Sequence, residues 1–219
     1  MTIHSSLRIA AVSVLASLSV LACSTPVNAP APPVSNAQSC RINNAKDYVD
    51  FPECFVPQKD GSMKVKPEIL EQIDFKNSPH APHVSYSDFT RRQPENFTGS
   101  KVVMGYILPS GRAHDVIFFD NGPDYFENGL ARFVSKDGKI GFIDKKLRVA
   151  IPPTHDFVAP FREGRAYFCD GCKLENTPGD GHPDDHHASV RGGQWGVMDA
   201  KGRTVRGPMP EKELFPERK

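Results

Sequence analysis

The residues best able to do chemistry crowd into one stretch, "CDGCKLENTPGDGHPDDHHASVRGG" (169–193). Cys169 and Cys172 form a C-x-x-C pair, and His182, Asp184, Asp185, His186 and His187 follow it. Two thiolates and two imidazoles can hold zinc in a tetrahedron. Cys169, Cys172, His182, His186 and His187 are therefore a candidate metal set, with zinc as its ion. The same thiols can instead close a disulfide, the pairing that an oxidising compartment favours. A redox-active pair is a third reading, but the thioredoxin-like βαβ setting it calls for is missing. Pro178, Gly179 and Gly181 interrupt the segment where a zinc finger would place a helix. Adjacent carboxylates such as Asp184-Asp185 suit a solvated loop and need no catalytic role. His114 and His155 lie outside this stretch and are expected to pack or hydrogen-bond.

Recognisable catalytic signatures are missing. The chain has no G-x-S-x-G, H-E-x-x-H, G-x-x-x-x-G-K-[ST] or G-x-G-x-x-G. A triad can assemble from distant residues, so this leaves an enzyme open while favouring a binding or scaffold role. The net charge of +1 over 219 residues argues against a general grip on nucleic acid.

The elements that position the 169–193 stretch repeat. Gly105-Tyr106-Ile107 matches Gly141-Phe142-Ile143 and Gly196-Val197-Met198. Six residues after each leading glycine stand Gly111-Arg112, Leu147-Arg148 and Gly202-Arg203. Phe126 matches Phe161, and "GLARF" (129–133) matches "GRAYF" (164–168). Short β-rich runs between turn signals predict meandering antiparallel strands. Repeats of this kind must stack to bury their apolar faces. In each unit a strand starts at the glycine, an x-G-R turn reverses the chain, and a second strand follows. In the 141–168 unit the prolines of "IPP" are expected to end the pairing. Asp137-Gly138 predicts a two-residue hairpin loop. Gly129 to Gly141 spans 12 residues but Gly164 to Gly196 spans 32, so 20 extra residues enter at one hairpin tip, within 169–193.

These residues resemble WG repeats, β-rich modules of about this period in many bacterial proteins. "GGQWGVMDAKGR" (192–203) carries the Trp195-Gly196 pair, an Asp and a Gly-Arg. The resemblance covers about residues 101–207 and implies a mainly all-β fold of stacked antiparallel hairpins. It also implies a binding or scaffold module, because the family has no generally shared chemistry.

Residues 40–100 are read as an N-terminal region. It holds an Asp60-Gly61 hairpin turn and a short helix over 66–75, in which Ile69, Leu70 and Ile73 share a face. Residues 208–219 read as a polar tail.

The start of the chain reads as an address. Arg8 precedes the charge-free apolar run "IAAVSVLASLSVLA" (9–22). That run is shorter than the roughly 20 residues of a membrane span, and it has the form of a secretion signal. "VLAC" (20–23) resembles the lipobox of bacterial lipoproteins, which implies that residues 1–22 are removed and that Cys23 carries lipid. Cleavage after Ala37 would give a soluble secreted protein instead. Ser24 after the cysteine fits outer-membrane sorting. Residues 23–39 then form the lipidated cysteine and an uncharged, proline-rich tether. The expectation is a lipid-anchored envelope protein at the outer membrane, facing the periplasm. Its contact with the membrane runs through Cys23, and its partner is a protein or the cell wall. With Cys23 lipidated, four of the five cysteines remain. Locality favours Cys40 with Cys54 and Cys169 with Cys172 among three connectivities. A Cys40–Cys54 bridge would add about 3 kcal/mol in the chain-entropy model.

Replacing Cys23 with Ser should move the protein from the membrane pellet to the soluble envelope fraction. An unchanged membrane fraction on immunoblotting would sink the anchor.

Overall fold

The computed structural model describes residues 39–78, 82–89, 101–178 and 186–217, with the backbone alone at 176–178 and 186–188. The leader, Cys23, the tether before Ser39, and the loop with His182, Asp184 and Asp185 lie outside the described residues. The described chain is built mainly from antiparallel strands, as the repeat pattern implied.

The N-terminal region is itself β-rich. Strands β1 (Cys40–Asn44) and β2 (Asp47–Phe51) form a hairpin with Cys40 opposite Phe51. Strands β3 (Phe55–Pro57) and β4 (Met63–Val65) flank the Asp60-Gly61 turn, where Gly61 has φ +82°. The sulfurs of Cys40 and Cys54 are paired in a disulfide arrangement beneath this sheet, with Cα atoms 6.0 Å apart. The helix expected over 66–75 is a single turn, α1 (Pro67–Leu70). No side chain caps it at Lys66. Beyond it, Asp74 accepts the backbone N–H groups of Lys76 and Asn77 and turns the chain away. Ile69 and Ile73 are nevertheless both buried. Strands β5 (Val84–Asp88), β6 (Val103–Ile107) and β7 (Arg112–Val116) complete a seven-stranded sheet in the order β2-β1-β5-β6-β7-β4-β3. The first repeat hairpin, β6–β7, is therefore continuous with the N-terminal strands.

A small hairpin, β8 (Phe118–Phe119) and β9 (Gly122–Pro123), leads into β10 (Leu130–Val134), β11 (Ile140–Asp144) and β12 (Val149–His155). These last three form a sheet of their own. Next come β13 (Phe157–Val158), β14 (Arg165–Asp170), the hairpin β15 (Lys173–Pro178) and β16 (His186–Arg191), then β17 (Gln194–Asp199) and β18 (Thr204–Pro210). The last sheet has the order β13-β14-β17-β18, and β15–β16 stands outside it as a separate pair. The segment read as a polar tail instead completes β18 and adds one helical turn, α2 (Glu211–Leu214), with Leu214 buried.

The repeated turns share one chemistry. In each, a left-handed residue closes a three-residue loop: Gly111, Leu147 and Gly202, with φ of +80°, +54° and +76°. Asp144 accepts the N–H groups of Lys146 and Arg148 on one oxygen and the Arg148 guanidinium on the other. Asp199 repeats this with Lys201 and Arg203. The Arg203 contact and these backbone donors hold the Asp199 carboxyl down at about 2. The first unit has Leu108 in place of the aspartate. Its Arg112 instead donates to the Leu147 carbonyl of the next unit (2.8 Å) and to Asp60 (2.8 Å). Asp137-Gly138 belongs to the same turn class and is not the two-residue loop expected. Gly138 alone is left-handed, and Ser135 N–H reaches Lys139 O (2.8 Å) across three intervening residues. Two-residue loops occur elsewhere, at Asn128-Gly129 and Glu163-Gly164 among others, and the four φ values of those two loops are all positive.

Two of the three leading glycines, Gly141 and Gly196, answer to a bulge. Ile140 pairs with His155, yet Phe142 pairs with Ile151, so extra residues bow out opposite Gly141. Pro152 and Pro153 lie in that bow, so "IPP" does not end β12. The strand continues through the prolines because an outward bulge needs no N–H there. β18 behaves alike, with Gly207 and Pro208 bowed opposite Gly196. A Cβ on Gly141 would sit 2.6 Å from the Ile151 oxygen, and one on Gly196 would sit 2.3 Å from the Phe168 ring. Gly105 is closed off in the same way by the His114 oxygen at 2.4 Å.

Apolar clusters follow one another along the chain. Tyr106, Ala131, Phe133, Ile143 and Leu147 join the first sheet to the second. Phe142, Ile151, Phe161, Ala166, Phe168 and Met198 join the second to the third. Equivalent aromatic pairs recur, Tyr106–Phe126 at 5.2 Å and Phe142–Phe161 at 4.8 Å. The small alanines, Ala131 and Ala166, are fully buried where neighbouring units meet.

Gly141→Ala should lower unfolding free energy by about 1–3 kcal/mol, since the blocking atoms are backbone. Gly122→Ala, facing open space, should change it by less than about 0.5 kcal/mol. Urea denaturation compares the two, and equal midpoints would refute the bulge constraint.

Candidate binding cleft

The C-x-x-C pair opens the insertion. Cys169 is the last residue but one of β14, opposite Trp195, and Gly171 at φ +74° turns the chain so that Cys172 faces back. The two sulfurs are paired, with Cα atoms 6.0 Å apart, in a cluster with Val190, Trp195 and Leu214. Gly193 closes this knot, because a Cβ there would lie 2.5 Å from the Cys172 nitrogen. Trp195 is the knot's centre. Its indole N–H donates to the Gly192 carbonyl (2.6 Å), and its ring meets Phe157 and Phe215 edge-on at 5.7 and 5.2 Å. Glu211 of α2 accepts the Gly192 N–H (2.7 Å) and pairs with Arg191. The base of the insertion is thus tied to both the third sheet and the last helical turn.

The hairpin register places the cysteines and histidines apart. Lys173 opposes Arg191 at the base, whereas Thr177 opposes His187 and Pro178 opposes His186 at the far end. Five residues separate Cys172 from Thr177, about 17 Å of strand. The register therefore sets the backbone of the cysteine pair and that of the two histidines at opposite ends of the hairpin. His182 lies outside the described residues. Among the described residues, no three His, Cys, Asp or Glu side chains are grouped to hold a metal ion.

The other histidines are held by packing and hydrogen bonds. His155 stacks on Phe168 at 4.2 Å and meets Asp170 at 3.0 Å. Beside it, Asp156 accepts the Gly171 N–H (2.7 Å) and the Lys139 ammonium (2.6 Å), which fixes the turn of the cysteine pair. The Lys139 contact and the Gly171 donor hold the Asp156 carboxyl below its ordinary value. His114 lies edge-on to Phe133 at 4.9 Å, and burial pushes its imidazole down.

A cleft of about 430 Å³ opens beside Trp195. This lies within the roughly 300–1,000 Å³ of small-ligand pockets. Five aromatic residues line it: Phe119, Phe157, Tyr167, Trp195 and Phe215. Ser189 and Val190 bring in the base of the insertion. Tyr167 and Phe119 are its exposed members, at 44% and 36%.

The cleft's charged residue is Arg132, which is 5% exposed beside Asp124 at 2%. Asp124 accepts from Arg132 Nε (3.0 Å), Nη2 (2.5 Å) and backbone N–H (2.8 Å). Arg132 Nη1 donates to the Val158 carbonyl (3.3 Å), and its guanidinium lies 5.0 Å from the centre of the Phe119 ring. Sequence reasoning passed over this residue, though a signal was present. Arg132 alternates with Leu130 and Val134 on one face of an apolar strand, a place a cation occupies only with a buried partner. Phe215 gave no signal, because it sits in a charged segment and reaches the cleft only through the packing of α2.

Comparison with known proteins adds one match. Residues 140–171 match the family described as WG containing repeat, over the second repeat unit with its bulge and aspartate-stapled turn. No curated protein and no solved structure matches the chain.

Arg132→Met leaves Asp124 buried without its partner and should cost about 3–5 kcal/mol. Adding Asp124→Leu to that variant should recover most of the loss. A double variant no more stable than the single one, by denaturant titration, would show that the pair is not the source.

Proposed function

We propose that the chain is a lipid-anchored envelope protein whose stacked β-repeats form a binding module. Cys23 would carry the lipid, and residues 24–39 would hold the folded part off an outer membrane on the periplasmic side. The observation that carries the binding role is the aromatic cleft. It is concave, within the size range of ligand sites, and partly open through Tyr167 and Phe119. Its walls come from rigid strands locked by the Gly192–Trp195–Glu211 contacts, so a ligand would meet a preformed surface. The insertion, which the repeat pattern did not explain, contributes one wall. A protein or cell-wall component in the envelope would be the partner.

Photo-crosslinking in cells tests this reading. A benzoylphenylalanine at Tyr167 should give a discrete crosslinked product. The same group at Val149, exposed on β12 and outside the cleft, should not. Equal crosslinking at both positions, or none at either, would remove the cleft as a binding site.

A further inference from the structure

The cleft's hydrogen-bonding groups are unbalanced. Three backbone acceptors around it are engaged within the fold. The Val158 carbonyl takes Arg132 Nη1 (3.3 Å), the Tyr167 carbonyl takes Ala159 N–H (2.8 Å), and the Arg132 carbonyl takes Ile117 N–H (2.9 Å). Donors are left over. An arginine side chain has five N–H groups. Among the described residues, the side-chain bonds to Asp124 and Val158 use three of those on Arg132. The exposed Tyr167 carries a hydroxyl that can donate as well as accept.

Charge narrows the ligand. Asp124 already neutralises Arg132, and both are buried. An anionic ligand would gain little from the pair and would be repelled by the carboxylate behind it. The complementary ligand is uncharged, presents flat apolar faces to the rings, accepts hydrogen bonds and donates few. An acyl chain has apolar surface but no acceptors along its length. An ordinary apolar peptide brings one N–H per residue, more than the Tyr167 and Ser189 hydroxyls in the lining could accept. Proline brings a carbonyl and a ring with no N–H. A proline-rich segment is also extended before it binds, so little conformational freedom is lost when it lies in an aromatic groove.

We infer that the cleft binds an uncharged proline-rich peptide segment in the polyproline II conformation. This rests on reading the chain as a binding module and names the ligand class of the same cleft. Isothermal titration of the full mature chain with two blocked ten-residue peptides, all-proline and alternating Gly-Ser, is the test. The proline peptide should bind saturably and at least about tenfold more tightly than the Gly-Ser peptide. Tyr167→Ala and Phe119→Ala should each weaken that binding about fivefold or more while circular dichroism shows the fold retained at the titration temperature. Equal affinity for both peptides, or unchanged affinity in both variants, overturns the proposal. No binding of the proline peptide, with crosslinking still confined to Tyr167, overturns the ligand class and leaves the binding module standing.

Discussion

None of the three leading glycines can carry a Cβ, and the repeat stack depends on that. Gly105, Gly141 and Gly196 each face atoms closer than any real Cβ tolerates, a backbone oxygen at the first two and the Phe168 ring at the third. At Gly141 and Gly196 the reason is a bulge in the next strand that bows toward the glycine. The bulge lets β12 and β18 keep prolines along a sheet edge, which blunts edge-to-edge pairing. One constraint thus links the leading glycine, the prolines and the free edges. It also accounts for the short second strand pairing: the ladder is interrupted where the glycine stands.

From that constraint the rest of the stack follows. Each hairpin is reversed by a three-residue loop with one left-handed residue. In two of the units an aspartate staples the loop to its own arginine. The first unit lacks the aspartate, and its Arg112 reaches the Leu147 carbonyl of the next unit. A lost turn staple has become a contact between repeats. Leu147 shows the converse exchange. A leucine in the left-handed region costs about 1–2 kcal/mol. Full burial of its side chain among Tyr106, Ala131 and Phe133 returns about 1.5–3 kcal/mol. Burial can therefore outweigh the strain. At the end of the stack, α2 supplies Leu214 and Phe215 to the cluster around Trp195. The same packing that covers this cluster leaves the aromatic cleft.

Much of the scaffold was legible because its signals are local. The alternation of β-rich runs with glycine turns, the 36-residue offset from Gly105 to Gly141 and the matching "GLARF" and "GRAYF" all reflect strand and turn geometry that neighbouring residues set. Errors came where two distant strands decide the outcome. Proline reads as a strand end in isolation, but opposite Gly141 it sits in a bulge. Asp137-Gly138 reads as a tight loop, yet the register of Val134 with Ile140 demands a longer one. The short helix was read too long because its terminating contacts, including Asn44 with Asp74, come from β1.

The sequence alone determined the repeat unit, its mainly antiparallel β character and the place where 20 extra residues enter. These depend on period, turn residues and self-similarity, all of which are properties of a linear string. Tertiary structure decided where the chemistry lies. Hairpin register set the cysteines and the His186-His187 pair at opposite ends of the insertion, although they are close in the string. Packing of three sheets and α2 gathered Phe119, Arg132, Phe157, Tyr167, Trp195 and Phe215 around one cleft, although nearly 100 residues separate the first from the last. A cleft is the space that distant elements leave between them, and no local pattern in the chain encodes that space.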